Sequence, residues 1–74
     1  MSRLIRLDQT GHTTLAQWSV EEPTEFEAAV VAFREELERG YFGIAARADG
    51  TAEQITELAF DAPTVILRLP IAGG

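Results

Sequence analysis

The sequence predicts a single α+β domain in which one helix packs on one face of a mixed β-sheet of four or five strands. Three observations support this. A central segment repeats apolar residues at helical spacing, strand-like runs separated by turn residues lie on both sides of it, and the chain has 74 residues. A chain of this length has room for one small core. A helix with one apolar stripe then needs a sheet with one apolar face to cover it.

The residues before the helix predict an antiparallel hairpin. Residues 3–8 alternate so that Ile5 and Leu7 share one face, and residues 13–20 form a second strand whose apolar side includes Trp18. The intervening residues include a glycine, which can adopt the positive φ of a tight turn. Two such runs joined by about four residues are typical of a hairpin.

The helix is predicted over residues 25–39. Thr24 followed by Glu27 fits a capping box at its start, and Gly40 stands where a helix-ending glycine is expected. The spacing i, i+4, i+7, i+11 defines one apolar stripe. Its members are Phe26, Val30, Phe33 and Leu37.

Three further strands are predicted, over residues 41–48, 54–60 and 64–69. The last is almost continuously apolar, interrupted only by Arg68, which favours a position in the middle of the sheet, and Pro70 ends it. The order strand, strand, helix, strand, strand, strand is that of a β-grasp roll, in which the last strand lies beside the first. The phenylalanines expected in the core are Phe26, Phe33 and Phe42.

Composition limits the function classes. The net charge of −6 argues against nucleic acid and anionic membranes as partners, because both require a basic surface. The acidic surface could steer the protein to a basic partner or simply keep it soluble. No run approaches the roughly 20 apolar residues of a membrane span. The absence of cysteine excludes disulfides, and we expect a cytoplasmic protein.

No catalytic set can be assembled from one histidine and no cysteine, so we expect no enzyme activity and no metal site. His12 is expected to be a plain turn residue, and Trp18 to pack in the core or at the sheet edge. The acidic runs Glu21-Glu22 and Glu35-Glu36-Glu38 could supply ligands, but such runs beside a helix are usually solvated faces. We therefore interpret both runs as solvated.

The end of the chain carries a family resemblance. Residues 61–74, DAPTVILRLPIAGG, resemble the ends of the small sulfur carriers of thiamine and molybdopterin synthesis. Those proteins, like ubiquitin, close with a hydrophobic central strand, a short apolar tail and a terminal Gly-Gly. The resemblance implies a ubiquitin-like β-grasp domain over residues 1–70 and a flexible tail over residues 71–74.

The resemblance also implies a chemistry. A partner enzyme would use ATP to adenylate the carboxylate of Gly74, and sulfur or an acceptor amine would then displace the adenylate. Gly73 would give clearance in a narrow channel, because glycine has no β-carbon, and the channel would contact Ile71 and Ala72. Arg68 would either face solvent or dock on the activating enzyme beside an exposed apolar patch of the sheet.

Under this interpretation the protein is a monomeric substrate or carrier that binds no cofactor itself. Its partners would be an activating enzyme and a sulfurtransferase or acceptor protein. The alternative is a β-grasp interaction module in which the sheet face binds a partner and the tail is inert.

Overall fold

The structure, a computed structural model, describes residues 1–9, 11–19 and 21–70. Within these residues the chain forms one helix and one five-stranded mixed sheet with the spatial order β2-β1-β5-β3-β4. This confirms the predicted α+β class and is compatible with a β-grasp. The elements are β1 (Ser2–Asp8), β2 (Gly11–Trp18), α1 (Pro23–Glu38), β3 (Phe42–Ala46), β4 (Ala52–Ile55) and β5 (Thr64–Arg68).

The central strand is β5, which pairs in parallel with β1 and antiparallel with β3. Val65 and Leu67 are fully buried on the side of α1, whereas Ile66 is half-buried on the other side. A strand with neighbours on both edges has its backbone groups paired on both sides, which suits a nearly continuous apolar run. The prediction of a central last strand therefore agrees with the observed pairing.

The helix α1 begins two residues earlier than predicted, at Pro23. Glu22 occupies the N-cap, with no side-chain hydrogen bond to the cap among the described residues. The predicted capping box at Thr24 is wrong: the fixed φ of Pro23 suits the first helical position, which places Thr24 inside the first turn. At the other end, Gly40 has φ +101°, as expected of a helix-ending glycine.

The core lies between α1 and the inner face of the sheet. Trp18 is fully buried, and its indole N–H donates to the Phe60 carbonyl at 2.9 Å. The ring of Phe26 meets Trp18 and Phe60 edge-on at centroid distances of 5.5 and 4.9 Å. The other fully or almost fully buried apolar residues are Leu4, Ala29, Phe33, Ala45, Ala62, Val65 and Leu67.

On β3 the prediction for Phe42 is wrong. Gly43 and Ala45 are the buried residues of this strand, while Phe42 and Ile44 are half-buried on the face away from the helix. The reason is the ring of Phe33, which lies directly over Gly43: a β-carbon built there would stand 2.5 Å from Cε1 of Phe33. The helix therefore approaches β3 so closely that only small residues fit beneath it.

The strand β4 is shorter and earlier than the predicted 54–60. It forms a hairpin with β3 whose turn is closed by the Arg47 N–H donating to the Thr51 carbonyl at 2.9 Å. Asp49 accepts hydrogen bonds from the Thr51 hydroxyl at 2.6 Å and the Thr51 amide at 3.0 Å. These bonds, the hydroxyl bond first, lower the pKa of Asp49. The turn thus sets the register in which β4 pairs.

A buried carboxylate joins α1 to β1. Glu36 is 3% exposed and accepts from Arg6 Nη1 at 3.1 Å and from Arg39 Nη1 at 2.8 Å. The hydrogen bond from Arg6 to Glu36 raises the pKa of Arg6. The interpretation of the acidic helix residues as a solvated face is wrong for Glu36, because a strand arginine pairs with it inside the fold.

Candidate functional site

The face of the sheet away from α1 is the candidate functional site. Side chains alternate along a strand, and paired residues on neighbouring strands share a face. Ile66 on β5 pairs with Ile5 on β1 and with Ile44 on β3, so three isoleucines stand side by side. Phe42 pairs with Arg68 in the next row, and Leu7 lies on the same face. We call Ile5, Leu7, Phe42, Ile44 and Ile66 the open-face patch.

On β3 the patch contains the larger apolar residues of the strand. On β3 the inner positions are Gly43 and Ala45, whereas the outer ones are Phe42 and Ile44. In an ordinary one-sided sheet the larger apolar side chains face the core and polar ones face solvent. The reversal on β3 leaves apolar surface uncovered where no described part of the chain lies over it.

Two exposed apolar residues lie where β5 ends. Leu7 is 36% exposed and Leu69 is 52% exposed. Together with Arg68 they line a groove at the ends of β1 and β5, whose other lining residues are Asp8 and Gln9. The described chain leaves the sheet at this groove, so Leu69 lies beside Leu7 of the open-face patch.

Charge is unevenly distributed between the two sides of the molecule. Arg3 pairs with Thr64 and Gln17, and Arg68 with Phe42, which places both arginines on the open face. Both are exposed, and neither forms an ion pair with any described residue. Of the twelve acidic residues, Asp8 lines the groove beside Arg68, with its carboxylate 3.8 Å from Arg6 Nε. The other eleven lie on α1, in the loops or, for Glu53, on the strand β4.

Arg47, immediately after β3, pairs locally. Arg47 Nη2 lies 3.0 Å from Glu53 Oε1, and Arg47 Nη1 lies 3.4 Å from Asp61 Oδ2. The hydrogen bond to Glu53 and the charge of Asp61 raise the pKa of Arg47. This arginine is therefore already neutralised by its own neighbours, unlike Arg3 and Arg68.

The predicted site residues fall partly outside the described structure. Arg68 ends β5 on the open face, opposite the side on which Leu67 is buried, as the alternation predicted. Ile71, Ala72, Gly73 and Gly74 lie outside the described residues, so their predicted roles stay predictions.

Three other residues considered from the sequence can be placed. His12 is exposed within β2, not in the turn. Trp18 is a core residue, and Glu21 is exposed before the helix. Across residues 1–9, 11–19 and 21–70, no three His, Asp or Glu side chains are grouped so that they could hold a metal ion. No helix in these ranges is long and apolar enough to cross a membrane.

Sequence reasoning missed the isoleucine row. Alternation does group Ile5 with Leu7 and Phe42 with Ile44, but it cannot tell which face the helix covers. The available signal was the pair Gly43 and Ala45. Small residues at two successive inward-facing positions of a strand indicate that another element approaches that face closely.

Comparison with protein-family models, with curated proteins and with solved structures finds no match to this chain.

Proposed function

We propose that this protein is a ubiquitin-like β-grasp carrier or modifier whose C-terminal Gly73-Gly74 is activated by a partner enzyme. The observation that carries the proposal is the path of the chain. The central strand β5 ends at a groove that Leu7 of the open-face patch also lines, and the tail follows two residues later in the sequence. A partner that covers this patch would have the following residues, Ile71-Ala72-Gly73-Gly74, within reach.

The proposed reaction takes place at the carboxylate of Gly74. A carboxylate oxygen attacks the α-phosphorus of ATP, pyrophosphate leaves, and an acyl-adenylate forms. A sulfur nucleophile or an acceptor amine then attacks the carbonyl carbon, and AMP leaves. The missing β-carbons of Gly73 and Gly74 let the backbone of the partner enzyme approach closely. In this scheme the present chain is a substrate, and the acid, base and nucleotide site belong to the partner.

The second candidate is an interaction module that binds a partner through the open face and carries out no chemistry at its tail. The open-face patch favours it, because the patch is formed entirely by residues of the sheet. The two candidates agree on binding and differ only in covalent chemistry.

Intact-mass spectrometry of the protein purified from its own cells separates the candidates. The same spectrum reports the residue at which the native protein ends. We expect a species whose mass matches exchange of one oxygen for sulfur at Gly74, or larger covalent adducts with other proteins.

Deletion of Gly74 is the matched control, since it leaves the described fold unchanged and removes the reactive carboxylate from its position. Both kinds of species should disappear in the deletion. Their absence from the wild-type protein, in cells in which the deletion has no phenotype, would reject the carrier and leave the interaction module.

A further inference from the structure

A groove on the helix side of the molecule lies apart from the open face. It is formed between α1 and the residues that follow β4, and it has a volume of about 260 Å³. Its lining residues are Val30, Phe33, Arg34, Thr56, Glu57 and Leu58. We propose that this groove, called the helix groove below, binds a small apolar zwitterion, namely an α-amino acid with a branched aliphatic side chain. The inference goes beyond the carrier proposal and does not use the chemistry at Gly74.

The apolar part of the helix groove is held in place by the core. Val30 and Phe33 lie three residues apart and so share one face of α1, and Leu58 packs against the core from the opposite wall. The position of Phe33 is fixed because its ring lies directly over Gly43. Small-molecule sites are usually pre-formed and lined mainly by apolar side chains. An aliphatic group could therefore enter without rearrangement of these walls.

The helix groove also contains two opposite charges that are not paired. Arg34 and Glu57 both line it, but no ion pair joins them. Neither side chain forms a hydrogen bond or ion pair with any other described residue. Glu38 follows Arg34 by four residues, but the order of basic before acidic is the less favourable one for a helix pair. Both charges therefore remain available to a ligand.

The wall opposite α1 offers further polar groups. The strand β4 ends at Ile55, and no backbone hydrogen bond joins Glu57 or Leu58 to another described residue. Their amides and carbonyls are thus free to bond with a polar molecule in the groove. A few polar groups beside an apolar surface are the usual means by which a pocket orients a small ligand.

The two charges together select a zwitterion. A ligand carboxylate would accept from the Arg34 guanidinium, and a ligand ammonium would donate to the Glu57 carboxylate; such charge-assisted hydrogen bonds are the stronger kind. An anion such as phosphate would pair with Arg34 but would lie near the like charge of Glu57, and a simple cation would have the reverse problem. Only a ligand with both charges pairs with both walls.

The volume of the helix groove limits the size of the ligand. Pockets for drug-sized molecules measure about 300–1,000 Å³, so a groove of about 260 Å³ suits a smaller one. In an α-amino acid the carboxylate, the ammonium and the side chain all diverge from one carbon atom. These three groups correspond to Arg34, Glu57 and the apolar residues of the groove. A branched aliphatic side chain matches the aliphatic and aromatic surfaces of Val30, Leu58 and Phe33.

Titration of the full isotope-labelled chain with L-leucine, followed by amide chemical shifts, tests the proposal. We expect saturable shifts at the residues of the helix groove and a dissociation constant of about 1 mM or lower, which is within the affinity that small ligands reach per atom. Three analogues each lack one feature: isocaproate has no ammonium, isoamylamine has no carboxylate, and glycine has no apolar side chain. Each should bind about tenfold more weakly than L-leucine, or worse.

Substitutions of the two charged residues test the same contacts from the side of the protein. Arg34→Gln and Glu57→Gln should each weaken L-leucine binding by about tenfold. Both residues are exposed, so the fold should be unchanged, and a dispersed amide spectrum checks this. Glu57→Gln should also bind isocaproate more tightly than the wild type does, because it removes the like charge that opposes this anion.

Arg3→Gln is the matched control. Arg3 is exposed on the open face and forms no ion pair with a described residue, as is true of Arg34 on α1. Its loss should change the affinity for L-leucine by less than about twofold, since charges beyond a Debye length are screened.

Several outcomes would overturn the proposal. These are shifts that do not saturate with L-leucine, wild-type affinity for isocaproate, isoamylamine or glycine equal to that for L-leucine, saturable shifts confined to other parts of the chain, and equal weakening by Arg3→Gln. Each would leave the carrier proposal untouched, because no step at Gly74 involves the helix groove.

Discussion

The close approach of α1 to β3 predicts an unusual response to a small substitution. Replacing Gly43 by alanine adds one methyl group, and its carbon would stand 2.5 Å from Cε1 and 2.8 Å from Cζ of Phe33. Carbon atoms in contact normally lie about 3.5–4.0 Å apart, so the overlap is about 1 Å. Phe33 is 1% exposed, and the space beside it is a groove that it lines together with Val30 and Leu58.

The expected effect follows from two opposing terms. In an unstrained backbone, a glycine-to-alanine change stabilises by about 0.4–1 kcal/mol, because it restricts the unfolded chain. Overpacking a filled core costs about 1–3 kcal/mol. We therefore expect Gly43→Ala to destabilise the protein by about 1–2 kcal/mol net. For a domain of this size each kcal/mol corresponds to about 4–8 °C in Tm.

Urea denaturation followed by tryptophan fluorescence measures this directly, since Trp18 is the single tryptophan and is fully buried. The matched control is the same substitution in a Phe33→Leu background, where the shorter side chain should accept the methyl group. The double mutant should then be more stable than the sum of the two single changes predicts. A neutral or stabilising Gly43→Ala in the wild-type background would refute the proposed contact.

Two further predictions concern charged groups. Glu36→Ala removes a buried carboxylate that accepts from Arg6 and Arg39 and should destabilise the protein by about 1.5–3 kcal/mol, the range for hydrogen bonds to charged groups. Arg39→Ala removes an exposed side chain and should cost less than about 1 kcal/mol. Equal losses in urea denaturation would contradict the burial of Glu36. The hydrogen bonds from Thr51 hold the pKa of Asp49 in the folded protein below its value in the unfolded chain. The folded state therefore binds fewer protons than the unfolded state, and the contribution of Asp49 to the stability of the fold is lost as the pH falls from about 4. The Asp49→Asn variant has no carboxyl group at this position to titrate. The difference in free energy of unfolding between the wild type and this variant should therefore shrink below about pH 4. A difference that stays constant with pH would contradict the hydrogen bonds in the turn.

The helix and the central strand could be predicted because their signals are local. The apolar stripe through Phe26 and Phe33 defines the helix within its own residues, and the run around Ile66 defines a buried strand. The start of α1 was displaced because two capping signals compete, and Pro23 at the first helical position prevails over Thr24 as a cap.

The candidate functional surface was only partly predictable because it depends on contacts between distant segments. Glu36 resembles its solvated neighbours in sequence, and only Arg6, 30 residues earlier, explains its burial. The direction of Phe42 likewise depends on Phe33 covering Gly43. The face on which Arg68 lies follows from strand alternation alone, whereas the isoleucine row requires the pairing of three strands.

The position of β5 has a consequence for how the protein is made. The β1–β2 hairpin and the β3–β4 hairpin can each form from neighbouring residues, but they join only through β5, which lies between them. During synthesis the chain must therefore wait until residues 64–68 have left the ribosome before its two halves share a sheet. A nascent chain that stalls before residue 64 would expose the unpaired edges of both hairpins, which is the state most open to chaperones and to aggregation.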